Sequence, residues 1–135
     1  MVAQRPQPLP LSIRQNVLFG YRLKIGGKGP SYEEDEVLEK ALTEVLLWDQ
    51  VKDRLDRGAL ALSLEEQQRL CIARLLPVQP KVLLLDDPCS ALDGRATRAV
   101  EEVLWRLRGE HSVLMVTNDM AQARRASDRL SLIHI

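Results

Sequence analysis

Two acidic residues that could bind a metal ion beside a phosphate follow a short apolar run in the second half of the chain. The run Val82 to Leu85 is too short for a helix and too continuous for a half-exposed strand, so it predicts a strand buried on both faces of a parallel sheet. Asp86 and Asp87 follow directly. Ligands bind at the carboxyl ends of strands in open α/β sheets, where a carboxylate can hold Mg²⁺ through its water shell next to phosphates. The pair is also consistent with an acidic turn that caps the next helix.

The segment 62–74, LSLEEQQRLCIAR, carries a second pattern. Together with the acidic strand it resembles the ATP-binding subunits of ABC transporters, and the phosphate-import type is the most similar. The family's signature helix opens Leu-Ser-Gly-Gly-Gln-Gln-Gln-Arg-Leu, and the chain matches it at Leu62, Ser63, Gln67, Gln68, Arg69 and Leu70. Three more segments follow the order of motifs in the family: residues 4–6 resemble the Q-loop, residues 90–93 resemble the D-loop, and residues 116–120 resemble the switch region. Several ordered motifs are more specific than any one of them.

The resemblance implies ATP and Mg²⁺ as cofactors and suggests a role for each matched residue. Asp86 and Gln4 would hold the magnesium ion. Asp87 stands where the family has the glutamate that orients or deprotonates the attacking water, and Asn118 stands where it has the switch histidine. The candidate nucleotide-binding residues are Gln4, Ser63, Asp86 and Asp93.

Substitutions weaken these positions. Asp87 is one methylene shorter than glutamate, and a general-base contribution of about 10²–10⁴-fold depends on reach. Asn118 can form hydrogen bonds but cannot become a cation.

Residues 64–66, Leu-Glu-Glu, replace the family's Gly-Gly-Gln and obstruct close approach to a phosphate. One carboxylate about 4 Å from a phosphate oxygen would be repelled by about 4 kcal/mol at an effective dielectric of about 20. Ser63-x-x-Glu66 instead predicts a capping box at the helix start.

No glycine-rich phosphate loop is found in the sequence. The nearest candidate, 26–29, has Gly29 after Lys28 where Ser or Thr is required, and it predicts a flexible turn. The resemblance begins at the Q-loop, so the family's phosphate-loop strand and helix are expected before Met1. These features predict a truncated, degenerate ATP-binding subunit that does not hydrolyse ATP alone. A divergent gene fragment remains open. A piece of a longer subunit also remains open, and there an upstream phosphate loop would restore nucleotide binding but not the signature glycines. The chain itself is expected to show no magnesium-dependent nucleotide affinity.

Two kinds of protein partner are implied by the resemblance. ABC subunits form head-to-tail dimers, so a homodimer or a heterodimer with another ATPase subunit is expected. The coupling helices of the permease would meet residues 4–20 and the helix that begins near Ser31. Because this surface matches the family better than the catalytic positions do, the alternative function is a non-catalytic module that docks on an ABC permease or an intact ATPase subunit. The substrate, phosphate, follows from the resemblance alone.

Composition narrows the partners further. The 19 basic and 19 acidic residues balance, so there is no electrostatic case for nucleic acid. No run approaches the roughly 18 apolar residues that span a bilayer, and prolines at 6, 8 and 10 interrupt any signal peptide. The chain is thus expected in the cytoplasm, peripheral at the inner face of the cell membrane when assembled with a permease. Cys71 and Cys89 lack metal-ligand spacing and are predicted to be reduced thiols.

The element pattern predicts an α/β fold, namely a partial P-loop NTPase fold without the phosphate-loop strand and helix. Its parallel sheet, flanking helices and helical subdomain would fall into three parts: 1–30 with the Q-loop, 31–77 with the signature helix, and 78–135 with the rest of the ATPase core. Helices are predicted over 31–48, 48–55, 64–76, 96–107 and 119–127, and strands over 82–85, 112–117 and 130–135. Ser31-x-x-Glu34 predicts a second capping box. Without the phosphate-loop strand, the strand over 130–135 would have to pair directly with 112–117, remain unpaired or join another chain. An exposed apolar edge predicts a poorly stable or association-prone chain.

Overall fold

The computed structural model describes residues 1–129, which form six α-helices and a two-stranded parallel sheet. The strands are β1 (Val82–Asp86) and β2 (Ser112–Val116). Short 3₁₀ turns occupy Ala59–Ala61 and Leu76–Val78. The helices are α1 (Ile13–Ile25), α2 (Ser31–Glu44), α3 (Trp48–Val51), α4 (Leu64–Ala73), α5 (Gly94–Leu107) and α6 (Met120–Ala126). This order confirms the α/β fold with a parallel sheet; the strand predicted over 130–135 lies outside the described residues.

β1 lies at the centre of the sheet. It pairs along its whole length with β2, and its other edge forms a parallel bridge to Val2. The amide of Val2 donates to the carbonyl of Leu84 at 2.8 Å, and the amide of Asp86 donates to the carbonyl of Val2 at 2.9 Å. The chain that leaves Val2 and the chain that leaves β1 therefore emerge at the same edge of the sheet.

The two faces of the sheet differ in burial. Leu83 and Leu85 are buried in the main core, together with apolar residues of α1, α2, α4 and α5. On the opposite face Leu84 is 44% exposed and Leu114 is 60% exposed. The prediction of strands buried on both faces is therefore wrong, because the helices of residues 1–129 cover only one face.

Helix α1 was not among the predicted elements. It starts with a capping box in which the Ser12 hydroxyl accepts from the Gln15 amide and the Gln15 side chain accepts from the Ser12 amide, both at 3.0 Å. The buried Asn16 fixes the preceding loop, since its Oδ1 accepts from the Leu9 amide at 2.7 Å. Gly26, with φ of 80°, ends the helix in the left-handed conformation. The glycines after α1 thus close a helix.

The start of α2 differs from the prediction. Pro30 precedes the helix and no side chain caps it, so the capping box assigned to Ser31 and Glu34 is wrong. Glu34 instead accepts two hydrogen bonds from Arg22, each of 2.8 Å, and one of 3.0 Å from the amide of Gly29. This bidentate pair joins α2 to α1.

Three helix ends come earlier than predicted. α2 stops at Glu44, and the chain reverses at Leu46, whose φ is 59°, before α3 begins. α3 itself ends at Val51, well short of residue 55. α4 ends at Ala73, after which the chain tightens into the 3₁₀ turn around Pro77.

Candidate functional site

The first group of candidate residues lies where the parallel strands end. Asp86 is the last residue of β1 and is exposed, whereas Asp87, which follows it, is only 9% exposed. Asp87 adopts a φ of 44°, a region that side chains rarely occupy and that often marks functional sites. Its amide donates to the carbonyl of Val116, the last residue of β2, at 2.7 Å. The turn after β1 is thereby fastened to the end of β2.

Asn118 meets Asp87 across this edge. The side-chain amide of Asn118 donates to Oδ2 of Asp87 at 3.4 Å. The two predicted catalytic positions, 31 residues apart in sequence, are brought together because β1 and β2 run in parallel and end side by side. The amide orients one oxygen of the carboxylate and leaves the other for a different partner.

Gln4 reaches the same edge from the N-terminal segment. It is exposed and follows Val2 by two residues, past the bridge to β1. Gln4 and Asp86 offer an amide oxygen and a carboxylate oxygen. This pair fits Mg²⁺, which favours oxygen ligands but keeps several waters and takes phosphate oxygens, so it needs few protein groups. Residues 1–129 hold no group of three or more acidic, His or Cys side chains that could form an all-protein metal cage.

A cleft of about 620 Å³ opens beside this edge. It lies between the turn after β1, the start of α5 and the start of α6. Cys89 in its wall is buried, and burial raises the pKa of this thiol to about 11, so the thiol is not a nucleophile near neutral pH. The polar lining residues include Asp87, Ser90, Thr97, Asn118 and Gln122.

Ser63 and Asp93 form a second group in another place. Ser63 caps α4 by accepting from the Glu66 amide at 3.2 Å, and Asp93 caps α5 by accepting from the Ala96 amide at 2.8 Å. Both residues line a second cleft, of about 750 Å³. Leu92 lines both clefts, so the 90–93 turn stands between the two groups. Asp87 and Asn118 thus line one cleft and Ser63 and Asp93 line another, whereas Gln4 and Asp86 line neither of the two.

The two acids at the start of α4 are held in ion pairs. Glu65 pairs with the buried Arg69 one turn later, and Glu66 pairs with Arg54 at 3.5 Å. The repulsion predicted for a carboxylate in this segment is therefore reduced, because Glu65 and Glu66 each have a cationic partner. Leu64 remains 54% exposed and still blocks the approach that glycine would allow. The Ser63 half of the predicted capping box is present, whereas Glu66 accepts from Arg54.

Gln68 connects the parts of the first group and was missed as a functional residue. Its side chain is fully buried, and its Nε2 donates to the carbonyl of Ala3 at 3.0 Å and to that of Pro88 at 2.7 Å. One amide on α4 thus fastens the segment before Gln4 to the turn after Asp87. The sequence offered one signal for Gln68. It is a polar residue one helical turn before the apolar pair Cys71 and Ile72, so it lies on the helix face that is expected to be buried.

Comparison with known proteins identifies the family and the type of fold. The family model described as "ABC transporter" matches residues 1–90. The chain belongs to the ABC transporter family. The fold is similar to part of a solved structure, the dimeric ATP-binding cassette MJ0796 in a post-hydrolysis state bound to ADP and phosphate. The similarity has a TM-score of 0.75 at 27% identity and covers 93% of this chain and 54% of that one.

Curated relatives agree with the resemblance to the phosphate-import type. "Phosphate import ATP-binding protein PstB 1" of Lactobacillus acidophilus is 51% identical over 135 residues, which are 100% of this chain and 50% of the relative. "Phosphate import ATP-binding protein PstB 5" of Trichormus variabilis is 53% identical over 128 residues, 95% of this chain and 48% of the relative. The chain spans about half the length of the curated relatives it matches.

Proposed function

We propose that the chain is one half of a phosphate-import ATP-binding subunit and that, by itself, it does not hydrolyse ATP. The contact between Asn118 and Asp87 at the carboxyl ends of β1 and β2 carries this proposal. A hydrogen-bonded carboxylate next to the exposed Asp86 supports the proposed pairing of a water-orienting group with a magnesium ligand. Phosphate as the transported substrate is inferred from the names of the relatives.

ATP bound at this edge needs groups that residues 1–129 of one chain do not bring together. Ser63 and Asp93 face the second cleft, on the far side of the 90–93 turn from Asp87. Because Ser63 does not line the cleft that contains Asp87, a second subunit is the proposed source of the Ser63 contact to a phosphate bound near Asp86. Bound Mg²⁺ would neutralise phosphate charge, with Asp86 and Gln4 as its protein ligands.

Turnover and binding measurements test the proposal. The purified chain, incubated with ATP and Mg²⁺, is expected to release no phosphate above background and to show no magnesium-dependent heat of nucleotide binding. Asp86→Asn distinguishes a true signal from contamination, because it removes the proposed metal ligand from an exposed position. Turnover that Asp86→Asn abolishes would refute the proposal, whereas turnover that survives it comes from another ATPase in the preparation.

Docking on a permease is the second candidate function, and the surface of α1 favours it. Phe19 and Leu23 lie one turn apart on this helix and are 45% and 69% exposed. Two apolar side chains on one helical face are suited to an apolar partner helix. Residues 1–129 contain no helix long and apolar enough to cross a membrane, so a permease would hold the chain at the membrane surface.

Co-purification tests this second function. The tagged chain is expected to retain the membrane-spanning subunits of a phosphate importer, and Leu23→Asp is expected to release them. Leu60→Asp is the matched control, because Leu60 is 62% exposed but lies in the 3₁₀ turn before α4. Equal retention by the wild type and both variants, or no retention by any, would exclude α1 as the docking surface.

A further inference from the structure

The fully buried side chain of Gln68 lies between the two loops that carry the proposed metal ligands. Its Nε2 donates to the carbonyl of Ala3 at 3.0 Å and to that of Pro88 at 2.7 Å. Both neighbours are carbonyl oxygens, which only accept, so the amide nitrogen must face them. Within residues 1–129, the buried Oε1 of this side chain has no hydrogen-bond partner. The residue therefore acts at this place as a double donor.

The bond to Ala3 holds the residue directly before Gln4. On the other side of Ala3, the backbone of Val2 is fixed to β1 by hydrogen bonds with Leu84 and Asp86. Gln4 itself is exposed, so the position of its side chain depends on how firmly the backbone before it is held. The donor on α4 adds a side-chain anchor to the backbone bridge.

The bond to Pro88 acts on the turn after β1. A residue before proline favours extended backbone, yet Asp87 has a φ of 44°. Such a conformation persists only where the surrounding structure holds it. Among its anchors are the 2.7 Å bond from the Asp87 amide to the Val116 carbonyl and the bond from Gln68 to the next residue. The same buried amide thus steadies the backbone that follows Asp86.

We propose that Gln68 is a positioning residue that sets the distance between the side-chain oxygens of Gln4 and Asp86 for a divalent cation. Mg²⁺ demands near-octahedral geometry with oxygen ligands at about 2.0–2.1 Å, so ligands on two separate loops bind it together only if their spacing is fixed. Loss of the two donors frees each loop from the other. The inference rests on the proposed function for the two metal ligands and adds the residue that places them.

Two neighbouring glutamines of α4 provide the test variant and its matched control. Gln68→Met keeps the length and burial of the side chain and removes both donors. Gln67→Met makes the same change one residue earlier, where Nε2 also donates to two carbonyls, those of Leu60 and Leu62. These two carbonyls lie in the segment before α4, away from the proposed metal ligands. Both variants remove two hydrogen bonds, but only one of them affects the two loops.

Amide hydrogen exchange measured by NMR spectroscopy reports on the loops directly. The Asp86 amide donates to the carbonyl of Val2, and the Ser112 amide donates to that of Lys81 at the other end of the paired strands. In Gln68→Met the Asp86 amide is expected to exchange at least about tenfold faster, because the loss of a buried anchor eases local opening. The Ser112 amide is expected to change less than about twofold, since it does not depend on that anchor.

Manganese is the metal probe, because Mn²⁺ accepts the same oxygen ligands as Mg²⁺ and broadens the NMR signals of nearby amides. In the wild-type chain, titrated with MnCl₂ without nucleotide, the amide signals of Gln4 and Asp86 are expected to broaden together. In Gln68→Met the Gln4 signal is expected to need at least about fivefold more Mn²⁺, because its loop is no longer pre-organised. The exposed Asp86 carboxylate still attracts the cation, so its signal serves as the internal reference.

Each other outcome overturns the proposal. Equal broadening of the Gln4 signal in the wild type and Gln68→Met would show that the amide does not position this ligand. Equal effects of Gln67→Met and Gln68→Met would assign the change to α4 as a whole, and equal acceleration at Ser112 and Asp86 would assign it to global stability. A wild type in which neither signal broadens would remove the metal pair itself. ATP turnover by the chain alone would refute the proposed function without altering the comparison between the variants.

Discussion

Arg69 is predicted to hold the corner between α2 and α3 in place. Its side chain is only 6% exposed, and its Nη1 donates to the carbonyl of Leu46 at 2.6 Å. Its Nη2 donates to Gln50 at 2.9 Å and to Glu65 at 3.1 Å. Leu46 itself has a φ of 59°, which is strained for a leucine, so the corner needs an external anchor. Arg69→Met keeps most of the side-chain volume and removes every one of these donors.

The expected loss is large. Removing one partner of a buried ion pair costs about 3–5 kcal/mol, because the other charge stays buried without compensation. Glu65 retains 18% exposure and can recover some hydration, so the low end, about 3 kcal/mol, is expected. For a domain of this size that corresponds to a fall in Tm of roughly 10 °C. Glu65→Gln is expected to cost only about 1 kcal/mol, since the amide oxygen still accepts and Arg69 keeps its other acceptors.

Urea unfolding followed by tryptophan fluorescence measures both changes. Arg106→Met is the matched control, because Arg106 is exposed on α5 and its loss is expected to cost less than about 0.5 kcal/mol. The reasoning is refuted if Arg69→Met is no less stable than Arg106→Met. It is also refuted if Glu65→Gln destabilises more than Arg69→Met, because the carboxylate rather than the corner would then be the main contact.

Two further predictions concern titratable groups. The hydrogen bonds from Arg22 hold the pKa of Glu34 below its ordinary value, so the stabilisation is complete above the unfolded pKa and is lost as the pH falls through the lower folded value. Glu34→Gln should therefore lose less stability than the wild type between about pH 6 and pH 3, and an equal loss in both would contradict the assigned pair. Burial raises the pKa of Cys71 and Cys89, so neither thiol should react with Ellman's reagent at about pH 8 until urea is added. Prompt labelling of the folded chain would show that the thiols are accessible.

Local patterns predicted much of the fold. The short apolar run before Asp86 gave a strand, and Ser63 and Asp93 both cap helices as their residue types favour. The missed helix α1 had a usable signal in Ser12 and Gln15, which form a capping box. The capping box predicted from Ser31 and Glu34 was wrong because Glu34 has a stronger, distant partner. Its carboxylate accepts hydrogen bonds from the guanidinium of Arg22 on α1 instead of capping α2.

The sequence by itself determined which residue types stand at the carboxyl end of β1 and at the start of α4, because strand length, caps and motif order depend on near neighbours. Only the tertiary structure decided that Asn118 meets Asp87 and that Glu65 is neutralised by Arg69. It also decided that Asp87 and Asn118 line one cleft while Ser63 and Asp93 line another. It decided as well that the helices of residues 1–129 cover only one face of the sheet. The sequence of an apolar strand is the same whether one face or both faces of its sheet are covered. Which faces are covered depends on the distant elements that pack against the strand.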